Sequence, residues 1–136
     1  VYPQQMRQAC ELVKEHPDLQ FILCHTGQPS KLDDDSHKVW RSGMHALAEF
    51  ENLSVKISGL GMFHRNWTVD TIRSFVLQAI EAFSPQRCMF GSNFPVDGMM
   101  SSYSRLWAAY SKITCDFSDD ERYALFCSNA ERIYRI

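Results

Sequence analysis

Three short apolar runs, each ending in polar residues, punctuate a chain otherwise dominated by helical periodicity. Phe21–Cys24 leads into His25-Thr26-Gly27-Gln28-Pro29, and Leu53–Ile57 leads into Ser58-Gly59-Leu60-Gly61. Cys88–Phe90 leads into Gly91-Ser92-Asn93 and is stopped by Pro95. Continuous apolar runs of this length, set between helical patterns, read as buried parallel strands. They end near positions 24, 57 and 90, a spacing of about 33 residues that suits βαβ units. Between them, Met6, Ala9, Cys10 and Val13 form the stripe of a helix from Pro3 to Glu15, closed by Pro17. Trp40, Met44, Leu47 and Ala48 form the next. Val69, Ile72, Phe75, Val76, Ala79, Ile80 and Phe83 form the strongest, with Thr68 as its N-cap and Ser84-Pro85 as its end. Met99, Tyr103, Leu106, Trp107, Tyr110 and Ile113 predict a further helix, and Ser118 to Glu121 is a capping box opening another. Asn129 to Ile136 closes the chain. Ser30 to Lys38, with Asp33, Asp34 and Asp35, reads as a polar loop whose charges are solvated, and Gly59 to Asn66 as a second loop.

Within the strands, alternation sets Phe21, Leu23 and His25 on one face and Ile22 and Cys24 on the other. Cys24 is therefore expected under a helix. Val55 and Ile57 oppose Ser54, Lys56 and Ser58. A lysine inside a parallel strand needs an exposed edge or a polar cavity, because burying an unpaired ammonium is costly. The order αβαβαβ and then two helices suits a doubly wound sheet or a (β/α)8 barrel. GxGxxG, the phosphate-binding turn of a dinucleotide fold, is absent. Every strand instead ends on polar residues: His25, then Lys56 and Ser58, then Ser92 and Asn93. Barrels gather such residues at the C-terminal ends of their strands. The predicted fold is α/β, the C-terminal portion of a (β/α)8 barrel with about three parallel strands and flanking helices. Asp97, four residues past Asn93, is expected to face solvent.

Composition narrows the partners. The chain has 136 residues and a formal net charge of −2, with no Lys/Arg cluster, which argues against a nucleic-acid partner. Apolar runs of about four or five residues are too short to span a membrane. Five cysteines without CxxC spacing read as reduced thiols in the cytoplasm. Three parallel strands leave two apolar edges unpaired. Residues 1–136 are thus expected to be a single partial domain whose first partner is the missing N-terminal half of the barrel.

Four motifs carry a resemblance: His25-Thr-Gly-Gln-Pro29, Lys56-Ile-Ser-Gly-Leu60, Phe90-Gly-Ser-Asn-Phe-Pro95 and Asn129-Ala-Glu-Arg-Ile-Tyr134. Together they resemble the last three strands of the amidohydrolase-related superfamily, in the branch of sugar-acid and pyrone-dicarboxylate lactonases. The resemblance implies a hydrolase that opens a lactone or similar cyclic ester, with an anionic small-molecule lactone as its partner. It implies that His25 binds a metal or polarises the scissile carbonyl. Lys56, Ser58 and Ser92 would contact the substrate, and Asn93 stands among the catalytic residues where these hydrolases usually carry an aspartate. No cofactor is demanded by the residues present. The resemblance allows a divalent metal, zinc or manganese, in a full-length protein whose missing half supplies further ligands, with His25 then among them.

Asn93 departs from the pattern. An amide cannot accept a proton as a general base and is a poor zinc ligand beside a carboxylate or imidazole. Asp97 is a candidate for the missing carboxylate, against its expected solvent exposure. Two alternatives follow. One is a metal-dependent decarboxylase of the same superfamily, which Asn93 argues against. The other is a non-catalytic barrel that binds a small acid or a partner after losing its base.

Overall fold

The computed structural model describes residues 1–29, 33–63 and 65–136. Its centre is a parallel sheet of β1 (Phe21–Leu23), β2 (Leu53–Ile57) and β3 (Cys88–Phe90), in that spatial order. Leu23 lies beside Val55, and Val55 beside Cys88. Because side chains alternate along a strand, this register puts Leu23, Leu53, Val55, Ile57, Cys88 and Phe90 on one face, where all six are buried. Lys56 and Met89 pair on the other face.

The first face is covered by helices α1 (Met6–Glu15), α2 (Asp34–Ala48), α4 (Val69–Phe83) and α5 (Tyr103–Ile113), each presenting its apolar stripe. Trp40, Leu47, Ile72, Val76, Phe83 and Tyr110 meet the strand residues in one core. The short α3 (Leu60–Phe63) occupies part of what the sequence suggests is a loop. His64, from that expected loop, lies outside the described residues. The expected polar loop at 30–38 is also revised. Residues 30–32 lie outside the described set, and Asp33 is the N-cap of α2, accepting a hydrogen bond from the Ser36 N–H at 2.9 Å. Asp34 and Asp35 fall in its first turn, where the helix dipole favours acids. Met99 does not belong to α5. It is 78% exposed, in a tight turn at Val96–Met99.

The chain ends in α6 (Asp119–Tyr123), a π-helical run Ala124–Ser128 and α7 (Asn129–Tyr134). Two polar clamps fix the sheet to its helices. The Arg87 guanidinium donates to the carbonyls of Ala48 at 2.7 Å, Phe50 at 2.8 Å and Phe83 at 3.2 Å, tying the ends of α2 and α4 to β3. Asn129 Nδ2 donates to the Pro85 and Cys88 carbonyls, both at 2.7 Å, which anchors α7. No helix among the described residues is long and apolar enough to cross a membrane.

Candidate functional site

All three strands run the same way, so their polar ends share one rim of the sheet. Alternation alone would send His25 to the helix side with Leu23. The backbone breaks that rule: His25 and Thr26 take left-handed conformations, with φ of 56° and 53°. Such conformations are strained for non-glycine residues and persist where surrounding contacts hold them. Here the contacts are visible. The fully buried Thr26 hydroxyl donates to the Ser58 carbonyl and accepts from the Ser58 N–H, each at 3.3 Å. The Thr26 carbonyl accepts from the Trp40 indole at 2.8 Å. The turn swings the imidazole across to β2, where His25 Nδ1 lies 3.1 Å from Ser58 Oγ. Gly59 makes room: with φ at +68°, a Cβ there would stand 2.9 Å from His25 Nδ1. Ser58 is only 1% exposed. Its hydroxyl is directed at the histidine.

Beyond β3, Asn93 also takes a left-handed φ of 54°. The turn that follows folds back, and the Asp97 N–H donates to the Asn93 carbonyl at 3.0 Å. Asp97 is therefore not solvent-facing. It is 1% exposed, and its Oδ1 accepts from Asn93 Nδ2 at 3.0 Å. Among the described residues its buried Oδ2 has no well-formed hydrogen bond; it lies beside Gly61. Asp97 is the functional candidate that sequence reasoning placed wrongly. Its return depends on a turn of irregular backbone, which periodicity does not describe. Ser92 Oγ accepts from the Phe94 N–H at 3.3 Å, which stabilises the turn.

Lys56 is on the central strand, which removes the edge explanation. Its side chain crosses Gly91, where a Cβ would lie 3.2 Å from Lys56 Cγ and Cδ. Nζ donates to the Tyr134 hydroxyl at 3.3 Å, bringing the end of α7 to the site. Cys24 interacts with the same ammonium, so it does not pack under a helix. Helices cover the face of Leu23, and Cys24 alternates to the other one.

The groups on this rim influence one another. Burial lowers the His25 pKa, the Lys56 ammonium lowers it further, and Asp97 acts in the opposite direction. The imidazole is therefore mainly neutral near pH 7. Burial also lowers the Lys56 value, but the Tyr134 hydroxyl and Cys24 outweigh it and the net shift is upward. Burial raises the Asp97 pKa, against the Asn93 amide, His25 and the Gly61 N–H, which lower it.

The raised Asp97 pKa has a consequence for stability. Folding favours the protonated carboxyl, so that contribution is complete below the ordinary value of about 3.9 and is lost as pH rises through the folded value. Asp97→Asn is expected to raise the unfolding midpoint of the full chain near pH 7, with the advantage vanishing toward pH 4. Thermal unfolding of both proteins across that range checks this. A variant less stable at pH 7 than at pH 4, relative to wild type, contradicts it.

Among the described residues no group of three or more His, Cys, Asp or Glu side chains could hold a metal ion. A catalytic zinc takes three protein ligands. His25 and Asp97 alone do not make such a site.

The amidohydrolase family model matches residues 2–136. The chain belongs to the amidohydrolase family. An uncharacterised protein of Sinorhizobium fredii, y4mH, is 49% identical over all of this chain and 46% of its own length. The L-fucono-1,5-lactonase of Burkholderia multivorans is 28% identical, over all of this chain and 50% of that enzyme. A crystal structure of a Burkholderia multivorans amidohydrolase with bound zinc superimposes with a TM-score of 0.93 at 28% identity, covering all of this chain and 51% of the other. The chain thus spans about half the length of the curated relatives it matches. Lactonases are among its relatives, and its sheet and helices match the C-terminal half of a (β/α)8 barrel.

Proposed function

We propose that the protein containing this chain hydrolyses a lactone or similar cyclic ester of a sugar or carboxylic acid. The observation that carries this reading is the convergence of His25, Ser58, Asn93 and Asp97 at the ends of adjacent parallel strands. Barrel enzymes keep their chemistry at that rim. Similarity to L-fucono-1,5-lactonases supports the substrate class.

In this reading, water adds to the carbonyl carbon, the bond to the ring oxygen breaks, and that oxygen gains a proton to give the open hydroxy acid. In the His25 tautomer protonated at Nε2, Nδ1 accepts from Ser58 Oγ–H, and Nε2–H polarises the carbonyl oxygen and stabilises the developing oxyanion. The Asn93 amide oxygen orients the attacking water. Lys56 holds an anionic group of the substrate, turning to it from the Tyr134 hydroxyl, to which Nζ donates at 3.3 Å. The zinc in the Burkholderia neighbour supports a divalent metal, zinc or manganese, in the full chain. Residues outside this chain would have to complete its ligand set, and no step is routed through it.

A panel of sugar-acid lactones tests the reading, assayed by acid release with the full chain. At least one anionic lactone should be opened. Lys56→Ala should raise its KM by about 10-fold or more, as loss of a charge-assisted hydrogen bond predicts, with kcat changed less. No hydrolysis across the panel, with the folded protein still binding lactone acids, would favour a binding role.

A further inference from the structure

We propose that Asn93 and Asp97 act as a pair in place of a single strand-end carboxylate, with the buried Asp97 a positioning residue that holds the Asn93 amide oxygen toward the attacking water. This rests on the lactone-opening reading and assigns the pair's work within it.

Two hydrogen bonds join the residues. The Asp97 N–H donates to the Asn93 carbonyl, and Asn93 Nδ2 donates to Asp97 Oδ1, both at 3.0 Å. The second bond decides which way the amide faces. A carboxylate has no hydrogen to donate, so only the NH2 end of Asn93 can turn toward it. The carbonyl end then points away from Asp97. An amide left to itself presents either end to a water molecule, whereas one held by a carboxylate presents only its oxygen.

Burial makes the arrangement costly unless it serves a purpose. Asp97 is 1% exposed, and among the described residues its Oδ2 has only the Gly61 N–H beside it, without a hydrogen bond of good geometry. Buried, incompletely satisfied carboxylates destabilise folds. A turn that needed only closing could use the backbone bond alone. Asp97 also lies close enough to His25 to influence it, which places the pair beside the imidazole proposed to act on the carbonyl. Among the described residues, Lys56 acts on His25 and Asp97 acts on Tyr110, so these charged and titratable groups also face the pair's surroundings.

Substitutions that exchange donor and acceptor test the pair in the full chain. Asp97→Leu removes the acceptor. It should lower kcat about 10-fold or more with KM nearly unchanged, the loss of a hydrogen bond to a charged group. Asn93→Asp alone sets a second carboxylate against the first. One of the two must take a proton, so hydrolysis falls although the family's usual residue has been restored. Asn93→Asp combined with Asp97→Asn re-forms the bond with its polarity reversed and puts a carboxylate on the rim. Hydrolysis should recover at least about 10-fold over Asn93→Asp alone. Asn93→Asp alone raising the rate, or the double variant doing no better than that single one, would overturn the pairing.

A substrate-free arm separates this from failure of the lactone reading. The Asn93 side-chain NH2 resonance should exchange with solvent about 10-fold faster or more in Asp97→Leu than in wild type. Equal exchange rates in two folded proteins would show that Asp97 does not hold the amide, whatever the substrate.

Discussion

His25→Ala is expected to slow lactone opening by the full chain about 10²–10³-fold, the usual cost of removing one donor from a developing oxyanion. The loss should fall on kcat, because Lys56 and not His25 is proposed to hold the substrate's anionic group. The fold should survive. The imidazole is half-buried, and among the described residues the side-chain hydrogen bond lost is that to Ser58 Oγ. His25→Gln keeps an N–H donor at similar reach and should retain part of the rate. Acidification offers a second check on the wild-type protein. The His25 pKa is lowered by burial and by Lys56, so its titration is expected below the ordinary histidine value of about 6.5. A rate within about twofold of wild type for His25→Ala, well inside one such donor's effect, would remove the imidazole from the chemistry.

Trp40→Ala is expected to be the most damaging single change to the fold, at about 3–5 kcal/mol for truncating a buried tryptophan. Trp40 is 1% exposed and packs against His37 at 5.5 Å and Phe75 at 5.2 Å between ring centroids. Its indole also satisfies the Thr26 carbonyl at 2.8 Å. Without that donor, a left-handed residue beside His25 loses one of the contacts holding it, so hydrolysis should fall along with stability. Trp40→Phe separates the two effects. It keeps most of the packing and removes the donor, so it should cost less stability but still loosen the His25 turn. Denaturant unfolding and kcat measured on the same variants check this. A Trp40→Phe variant with wild-type activity would show that the turn holds without the indole.

Both predictions join something the sequence makes plain to something it conceals. Trp40 is visible as the head of a helical stripe, and a buried aromatic follows from that position. Its bond to Thr26 is not, since the indole donor and the carbonyl meet only once α2 lies across the end of β1. Lys56 is readable as an anomaly in a buried strand, but its edge or cavity placement waits on strand order. The sheet order β1-β2-β3 puts it at the centre.

The largest error concerns Asp97. Counting outward from a strand end suggests solvent, because regular periodicity stops at Pro95 and nothing local describes the return. The left-handed φ at Asn93 and the tight turn from Val96 to Met99 reverse the chain and bury the carboxylate. Cys24 was misplaced for a related reason: alternation states which residues share a face, but not which face receives the helices.

By itself the sequence determined the three strands, the longer helices, their order and the polar ends of the strands. Those follow from local rules: apolar runs that can only be buried, stripes at helical spacing, and capping residues such as Thr68 and Ser118. Tertiary structure alone decided which of those polar groups meet. His25 reaches Ser58 because Ser58 and Trp40 hold the turn at Thr26, and Asn93 reaches Asp97 because the chain folds back on itself between them. The conformation at Thr26 is unfavourable for that residue in isolation, so no local preference announces it.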